Sequence, residues 1–202
     1  MKIAQCPTRD RQQLSSILAE RRSRRLLCSL QDGPATTRDL AVALAAAECD
    51  CARSAVTAAD CRRYRRTLQH NYLPRLTDAG LLTRPADGLI RFVPAALDRF
   101  GVQFPPLDRP DDPSWPAAAA VLGRAYRHPL LAVVDEADGT VPLSRLADRL
   151  VEDAVVETAD DSRSLAVALH HVDLPKLASV DLLRYDAAEK TVASTSATAT
   201  VL

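Results

Sequence analysis

The chain has 202 residues, 47% of them hydrophobic and 26% charged, a composition that supports one or two folded domains and excludes wholesale disorder. Basic and acidic residues number 26 each, but residues 1–101 carry 17 basic and 10 acidic side chains, whereas residues 102–202 carry 9 and 16, which predicts different partners for the two halves. No apolar run reaches the roughly 18 residues of a membrane helix and no signal-peptide pattern opens the chain, so we expect a cytoplasmic protein with no membrane partner.

The first half predicts three helices followed by a β-hairpin. A first helix covers residues 12–31, and a second begins after a capping threonine at Thr36 or Thr37. A third helix covers residues 59–79 and ends at Gly80, a residue that suits a helix C-terminus. Two short strands separated by a turn follow within residues 81–93.

The second half repeats the first after a proline-rich segment. Residues 73–76, Leu-Pro-Arg-Leu, correspond to residues 174–177, Leu-Pro-Lys-Leu, at an offset of 101. Six prolines between Pro94 and Pro116 predict a stiff linker, in which Trp115 anchors the segment to one domain. The predicted organisation is an N-terminal domain over residues 1–95, a linker over 96–117 and a C-terminal domain over 118–202.

Three helices and a hairpin make the winged helix-turn-helix pattern, in which the third helix enters the DNA major groove and the hairpin, or wing, contacts the backbone. The predicted fold class is thus mainly α with small β wings (α+β), as tandem winged helix-turn-helix domains. The four-residue spacing directs Tyr64, Leu68 and Tyr72 towards the core and leaves an arginine-rich face exposed to solvent. Arginine suits phosphate and guanine, and asparagine and glutamine suit adenine. The predicted DNA-binding residues are Arg62, Arg63, Arg65, Arg66, Gln69, Asn71, Arg75, Arg84 and Arg91.

Residues 70–82, from His70 to Leu82, resemble the third-helix signature of arsenic-repressor-like winged-helix regulators. The Leu-Pro-Arg/Lys-Leu version resembles a haloarchaeal family of winged-helix domains of largely unknown function. This resemblance implies the fold and double-stranded DNA as a partner. Two departures stand out: Pro74 and Pro175 interrupt the third helix, which predicts a kink or a split near residue 73, and the cysteine motif of metal-sensing relatives is absent.

The second repeat has lost most of the arginine face, because only Arg163 remains where the first repeat has four arginines. An acidic stretch, residues 152–161, precedes it and would repel phosphate. We therefore expect the C-terminal domain to support assembly or to bind a protein. A homodimer is expected, since a single module buries little DNA surface.

Catalytic motifs, phosphate-binding glycine loops and zinc-ligand spacings are missing from the sequence, so we expect neither enzyme activity nor a cofactor or metal. The leading hypothesis is a DNA-binding transcriptional regulator. Two alternatives stay open. One is a protein–protein adaptor that keeps the folds without binding DNA, and the other is a thiol-based redox sensor that uses Cys49, Cys51 and Cys61.

Overall fold

A computed structural model describes residues 8–98, 100, 104–153 and 162–201. These residues are mostly helical, with two small antiparallel sheets, and the chain divides into two compact units, residues 1–115 and 116–202. The same order of elements occurs in both units. The protein is therefore α+β, with tandem winged-helix-like domains, as predicted. No helix within these described ranges is long and apolar enough to cross a membrane.

Unit 1 opens with two helices, α1 (Thr8–Ala19) and α2 (Arg21–Ser29), where the sequence predicted one helix over residues 12–31. The prediction was wrong at Glu20, whose extended backbone (φ −87°, ψ 117°) interrupts the helix. Each of the two helices buries its own apolar side, with Ile17 fully buried on α1 and Leu27 fully buried on α2. Two short helices can each orient a side towards the core independently, which one straight helix cannot.

Helix α3 (Thr37–Cys49) begins at the predicted threonine. The Thr36 side chain accepts a hydrogen bond from the Asp39 backbone N–H at 3.2 Å, and the Asp39 carboxylate accepts one from the Thr36 backbone N–H at 3.2 Å. This reciprocal capping box satisfies donors that a helix start leaves unpaired. A short 3₁₀ turn, Arg53–Ala55, then leads to the third helical region.

The third helical region consists of α4 (Ala58–Thr67), a π-helical segment (Leu68–Tyr72) and α5 (Leu73–Asp78). The break near residue 73 was predicted, and the π geometry was not. In this segment the backbone N–H of Leu73 bonds to the carbonyl of Leu68, five residues back. Pro74 is one cause of the π geometry, because a proline ring collides with the carbonyl four residues earlier in a regular α-helix. The wider π turn relieves that collision without ending the helix.

Unit 1 ends in the predicted hairpin. Gly80 has a left-handed backbone (φ 72°) and ends α5, and the backbone N–H of Leu81 bonds to the Leu76 carbonyl at 2.9 Å. Strand β1 (Leu82–Thr83) pairs antiparallel with β2 (Arg91–Phe92). Ile90 also exchanges two backbone hydrogen bonds with Ala35, which lies between α2 and α3. The hairpin is thereby tied to the helices.

The proline-rich segment packs onto unit 1 in its described part. The short helix α6 (Ala95–Asp98) buries Leu97. Trp115 is fully buried and anchors the segment, as predicted. Its indole N–H donates to the Arg109 carbonyl at 2.9 Å, and the Arg24 guanidinium lies 5.7 Å from its ring centroid. The division between the units falls at Trp115, inside the predicted linker.

Unit 2 repeats the helices and the hairpin of unit 1 in the same order and adds one short strand. Its helices and strands are α7 (Trp115–Leu122), α8 (Arg127–Asp135), β3 (Val141–Pro142), α9 (Leu143–Glu152), α10 (Ser162–Ala168), a π-helical segment (Leu169–Asp173), α11 (Leu174–Ala178), β4 (Leu183–Asp186), β5 (Thr191–Ser194) and α12 (Thr198–Val201). Its sheet has the order β3–β5–β4, so β3 takes the place that Ala35 has in unit 1. The acidic stretch predicted over residues 152–161 lies largely outside the described residues.

A tyrosine–carboxylate contact lies at the end of the π-segment in both units, with the positions of tyrosine and carboxylate exchanged. It is partly buried in unit 1 and buried in unit 2. In unit 1, Tyr72 on the π-segment donates to the Glu20 carboxylate at 2.5 Å. In unit 2 the corresponding residue is Asp173, which is fully buried and accepts hydrogen bonds from Tyr126 at 2.6 Å and from Arg127 at 2.8 Å. Burial and the neighbouring carboxylate raise the pKa of both Tyr72 and Tyr126.

Replacing Asp173 tests how much unit 2 depends on this contact. Asp173→Ala leaves Arg127 buried without its carboxylate, so the unfolding free energy of unit 2 should fall by about 3–5 kcal/mol. Hydrogen exchange of the α8 and π-segment amides measures it. The exposed Asp148, replaced by alanine, is the control, with an expected change within about 0.5 kcal/mol. Equal protection in both variants would contradict this role.

Candidate nucleic-acid interface

The third helical region of unit 1 is positioned by its cap and by its inner face. Thr57 caps α4 by accepting a hydrogen bond from the Asp60 backbone N–H at 3.1 Å. Helix α4 packs on α3. Leu68 and Tyr72 are buried and Tyr64 is half-buried, as the spacing of four predicts. The arginine-rich side is consequently turned outwards.

Three of the predicted arginines are free. Arg62, Arg65 and Arg66 are exposed, and among the described residues none of their guanidinium groups forms a hydrogen bond or an ion pair. Arg63 differs, since its guanidinium lies 3.3 Å from the Asp60 carboxylate and 4.9 Å from the Tyr64 ring centroid. Three unneutralised guanidinium groups on one helix produce a strongly positive surface.

Helix α2 carries the same Arg-Arg-x-Arg-Arg pattern as α4, but its four arginines all have hydrogen-bond or ion-pair partners. Arg21 and Arg25 both pair with Asp111, and Arg22 pairs with Glu48 at 2.7 Å. The buried Arg24 donates to the backbone carbonyls of residues 18, 19 and 110. These four arginines hold unit 1 together. The sequence pattern alone does not distinguish them from the arginines of α4, and the contacts do.

Some of the other predicted residues have side chains without a described partner, and others form ion pairs with carboxylates. Gln69, Asn71 and Arg84 are exposed and, over the described ranges, make no side-chain hydrogen bond or ion pair. Arg75 lies 3.2 Å from the Glu20 carboxylate, and Arg91 lies 2.6 Å from that of Asp87 in the hairpin turn. A phosphate would have to displace a carboxylate at both of these arginines.

Two further exposed residues are close to α4 in the chain and were not predicted as site residues. Arg53 lies in the 3₁₀ turn that leads into α4, and His70 lies between Gln69 and Asn71 on the π-segment. In the sequence, Arg53 could have been selected as a candidate from its position five residues before the start of α4. His70 lies on the π-segment, whose geometry was not predicted from the sequence.

The cysteines lie near the start of this helix without forming a metal centre. Cys49 is exposed and Cys61 is half-buried. Cys28 and Cys51 line a common groove of about 560 Å³ between α2 and α3, and burial raises the pKa of the Cys28 thiol. Among the described residues, no group of three or more His, Cys, Asp or Glu side chains could hold a metal ion.

The corresponding face of unit 2 exposes two valines. Val167 and Val172 are 56% and 48% exposed, and they are the exposed large hydrophobic residues of the part of the chain that the structure describes. At the offset of 101 they occupy the positions of Arg66 and Asn71. His170, at the position of Gln69, is held by a hydrogen bond with Tyr185. The same helix therefore presents different chemistry in the two units.

Both repeats match one family model, at residues 15–88 and 119–193, described as a domain of unknown function, DUF7344. The chain belongs to this family. Its two DUF7344 repeats coincide with the two structural units, each match running from the first helices to the hairpin. No curated protein and no solved structure matches the chain.

The carboxylates that bind the α2 arginines predict a pH dependence for the first DUF7344 repeat. Hydrogen bonds from Arg21 and Arg22 hold the pKa of Asp111 and of Glu48, respectively, below their usual values. A depressed folded-state pKa stabilises the fold above the unfolded-state value of about 4, and this contribution is lost as the pH falls below it. Asp111→Asn/Glu48→Gln should therefore lose less stability between pH 5 and pH 3 than the unchanged chain.

Urea unfolding followed by Trp115 fluorescence measures this difference, since Trp115 is the single tryptophan and is buried in unit 1. The expected difference is of the order of 1 kcal/mol, because pairs this exposed are each worth about 1 kcal/mol or less. Parallel pH profiles for the two proteins would show that these ion pairs contribute nothing measurable.

Proposed function

We propose that the protein is a transcriptional regulator that binds double-stranded DNA through the α4 surface of unit 1. The observation that carries this proposal is the contrast between the two arginine-rich helices. Carboxylates and carbonyls of unit 1 bind the arginines of α2, whereas the guanidinium groups of Arg62, Arg65 and Arg66 have no partner among the described residues. Exposed guanidinium groups repel one another, and a polyanion such as the DNA backbone relieves that repulsion while releasing counterions.

The proposed geometry is that of a winged helix. Helices α3 and α4 would form the helix-turn-helix, with α4 in the major groove, and the β1–β2 hairpin would be the wing. The exposed Arg84 follows strand β1 at the start of the hairpin turn, and it would contact phosphate. Arg75 and Arg91 would join only by exchanging Glu20 and Asp87 for phosphate, so we assign them a smaller part.

The arginine- and aspartate-rich composition supports a high-salt cytoplasm, in keeping with a haloarchaeal type of winged-helix domain. At about 1 M salt the Debye length is roughly 3 Å, so long-range attraction is screened. Under those conditions binding depends on direct contacts between guanidinium groups and DNA. Arginine serves this purpose better than lysine, since its planar fork binds phosphate or guanine in a bidentate way.

Removing the free arginines tests the DNA-binding proposal. Arg62→Ala/Arg65→Ala/Arg66→Ala should weaken binding to duplex DNA and reduce the slope of log affinity against log salt by roughly 0.9 per lost phosphate contact, or about 2.7 in total. Fluorescence anisotropy with labelled genomic duplexes at several salt concentrations measures both quantities.

The matched control removes three exposed arginines of unit 2, as Arg145→Ala/Arg163→Ala/Arg184→Ala. It changes the net charge equally and should leave affinity and slope nearly unchanged. If both triple variants lose affinity alike, net charge and not the α4 surface drives binding. If the unchanged protein binds no duplex at any salt, the regulator proposal fails and the adaptor alternative takes its place.

We assign assembly to unit 2 and propose a homodimer. Exposed valines at positions where unit 1 has Arg66 and Asn71 support contact with protein over contact with phosphate. Two DNA-binding units in one assembly would set the spacing of two half-sites.

Charging this face tests the assembly. Val167→Asp/Val172→Asp should convert the dimer to a monomer, since each aspartate would lose its hydration in an apolar contact. Light scattering coupled to size exclusion measures the mass. Ala187→Asp/Ala188→Asp, which adds the same charge in the exposed β4–β5 turn, should leave the dimer intact. An unchanged mass for the valine variant would exclude this face as the contact.

A further inference from the structure

The π-segment of unit 1 presents three consecutive polar side chains to solvent. Gln69, His70 and Asn71 are all exposed, between the buried Leu68 and Tyr72. None of the three forms a side-chain hydrogen bond with any described residue. Amide side chains without partners next to a phosphate-binding surface are suited to hydrogen bonding with a ligand.

Helix geometry explains why these residues join the arginine face. In a regular α-helix each residue turns by about 100°, so residues five apart lie roughly 140° apart around the axis. Leu68 and Leu73 are five apart and both fully buried. The π turn places them on the same side by inserting one residue into the turn. It also keeps Gln69 and His70 one turn beyond Arg65 and Arg66 and draws Asn71 back towards that face.

Unit 2 provides an internal comparison, because it has the same π-segment with different side chains. The residues that build the segment are retained, with Leu169, Leu174 and Pro175 at the positions of Leu68, Leu73 and Pro74. Asn71 is replaced by Val172, which cannot form a side-chain hydrogen bond. Gln69 is replaced by His170, which Tyr185 already engages.

Unit 2 therefore lacks both the arginines and the free amides. Arg65 and Arg66 correspond to Ala166 and Val167 at the same offset. The π geometry itself does not require either group, since unit 2 forms it without them. Their joint absence is expected if both groups contact one ligand, and the π geometry does not account for it.

We propose that the π-segment determines sequence specificity, with Gln69 and Asn71 contacting base edges while the α4 arginines contact mainly the backbone. This inference rests on the proposed DNA binding and adds a division of roles to it. A glutamine or asparagine amide forms two hydrogen bonds with the N6 and N7 atoms of adenine in the major groove. The segment should therefore select adenine at two positions of the site, whereas the arginines contribute affinity that is independent of sequence.

The experiment selects sites from a random-sequence duplex library with the full-length chain and with Gln69→Ala/Asn71→Ala. The unchanged chain should enrich a motif with adenine at two positions. The variant should lose roughly 5- to 100-fold of discrimination at each of these positions and keep its salt slope, because no phosphate contact is removed. His171→Ala, on the exposed side of the unit 2 π-segment, is the control and should retain the full motif.

The outcomes separate this inference from the proposed function. Retention of the full motif by the double variant, or binding by the unchanged chain without any sequence preference, would overturn the inference and leave DNA binding standing. A lower salt slope in the double variant would also overturn it, since these residues would then contact phosphate. Absence of DNA binding by the unchanged chain would overturn both.

Discussion

The burial of two leucines five residues apart is the constraint on which the candidate interface depends. Leu68 and Leu73 both enter the core of unit 1, although a regular α-helix would set them about 140° apart around its axis, and Pro74 disfavours the regular turn at the same place. A single π turn accommodates both the burial of the two leucines and the ring of Pro74. Once this turn is present, the orientation of every outward residue from Gln69 onwards follows from it. The core thus decides which polar side chains stand beside the arginines.

Charge alone does not identify a binding surface in this chain. Two helices carry the same arrangement of four arginines, and the difference lies in the acidic residues that surround them. Asp111 and Glu48 reach α2 from elements distant in sequence, whereas α4 has only Asp60 of its own first turn close to an arginine among the described residues. A positive surface persists where the fold brings no carboxylates to it.

Local signals were sufficient to predict most elements of the fold. Thr36 marks the start of α3, Gly80 marks the end of α5, and the offset of 101 reveals the repeat. The break at Glu20 and the π turn escaped the sequence analysis because both arise from packing, which decides where a helix must change its phase. At the candidate interface, the exposure of α4 follows from spacing, but the engagement of Arg75 by Glu20 is a contact across 55 residues, which no local pattern reveals.

The exchanged positions of tyrosine and carboxylate have a consequence for how the two repeats can diverge. Unit 1 places the tyrosine on the π-segment and the carboxylate before α2, and unit 2 places the carboxylate on the π-segment and the tyrosine before α8. A third helix transferred from unit 2 into unit 1 would bring Asp173 against Glu20, two carboxylates with no arginine buried between them. The reverse transfer would face Tyr72 with Tyr126 and leave Arg127 without its anion. The third helices of the two repeats are therefore not interchangeable at this contact, because each one carries the group that complements the partner in its own unit.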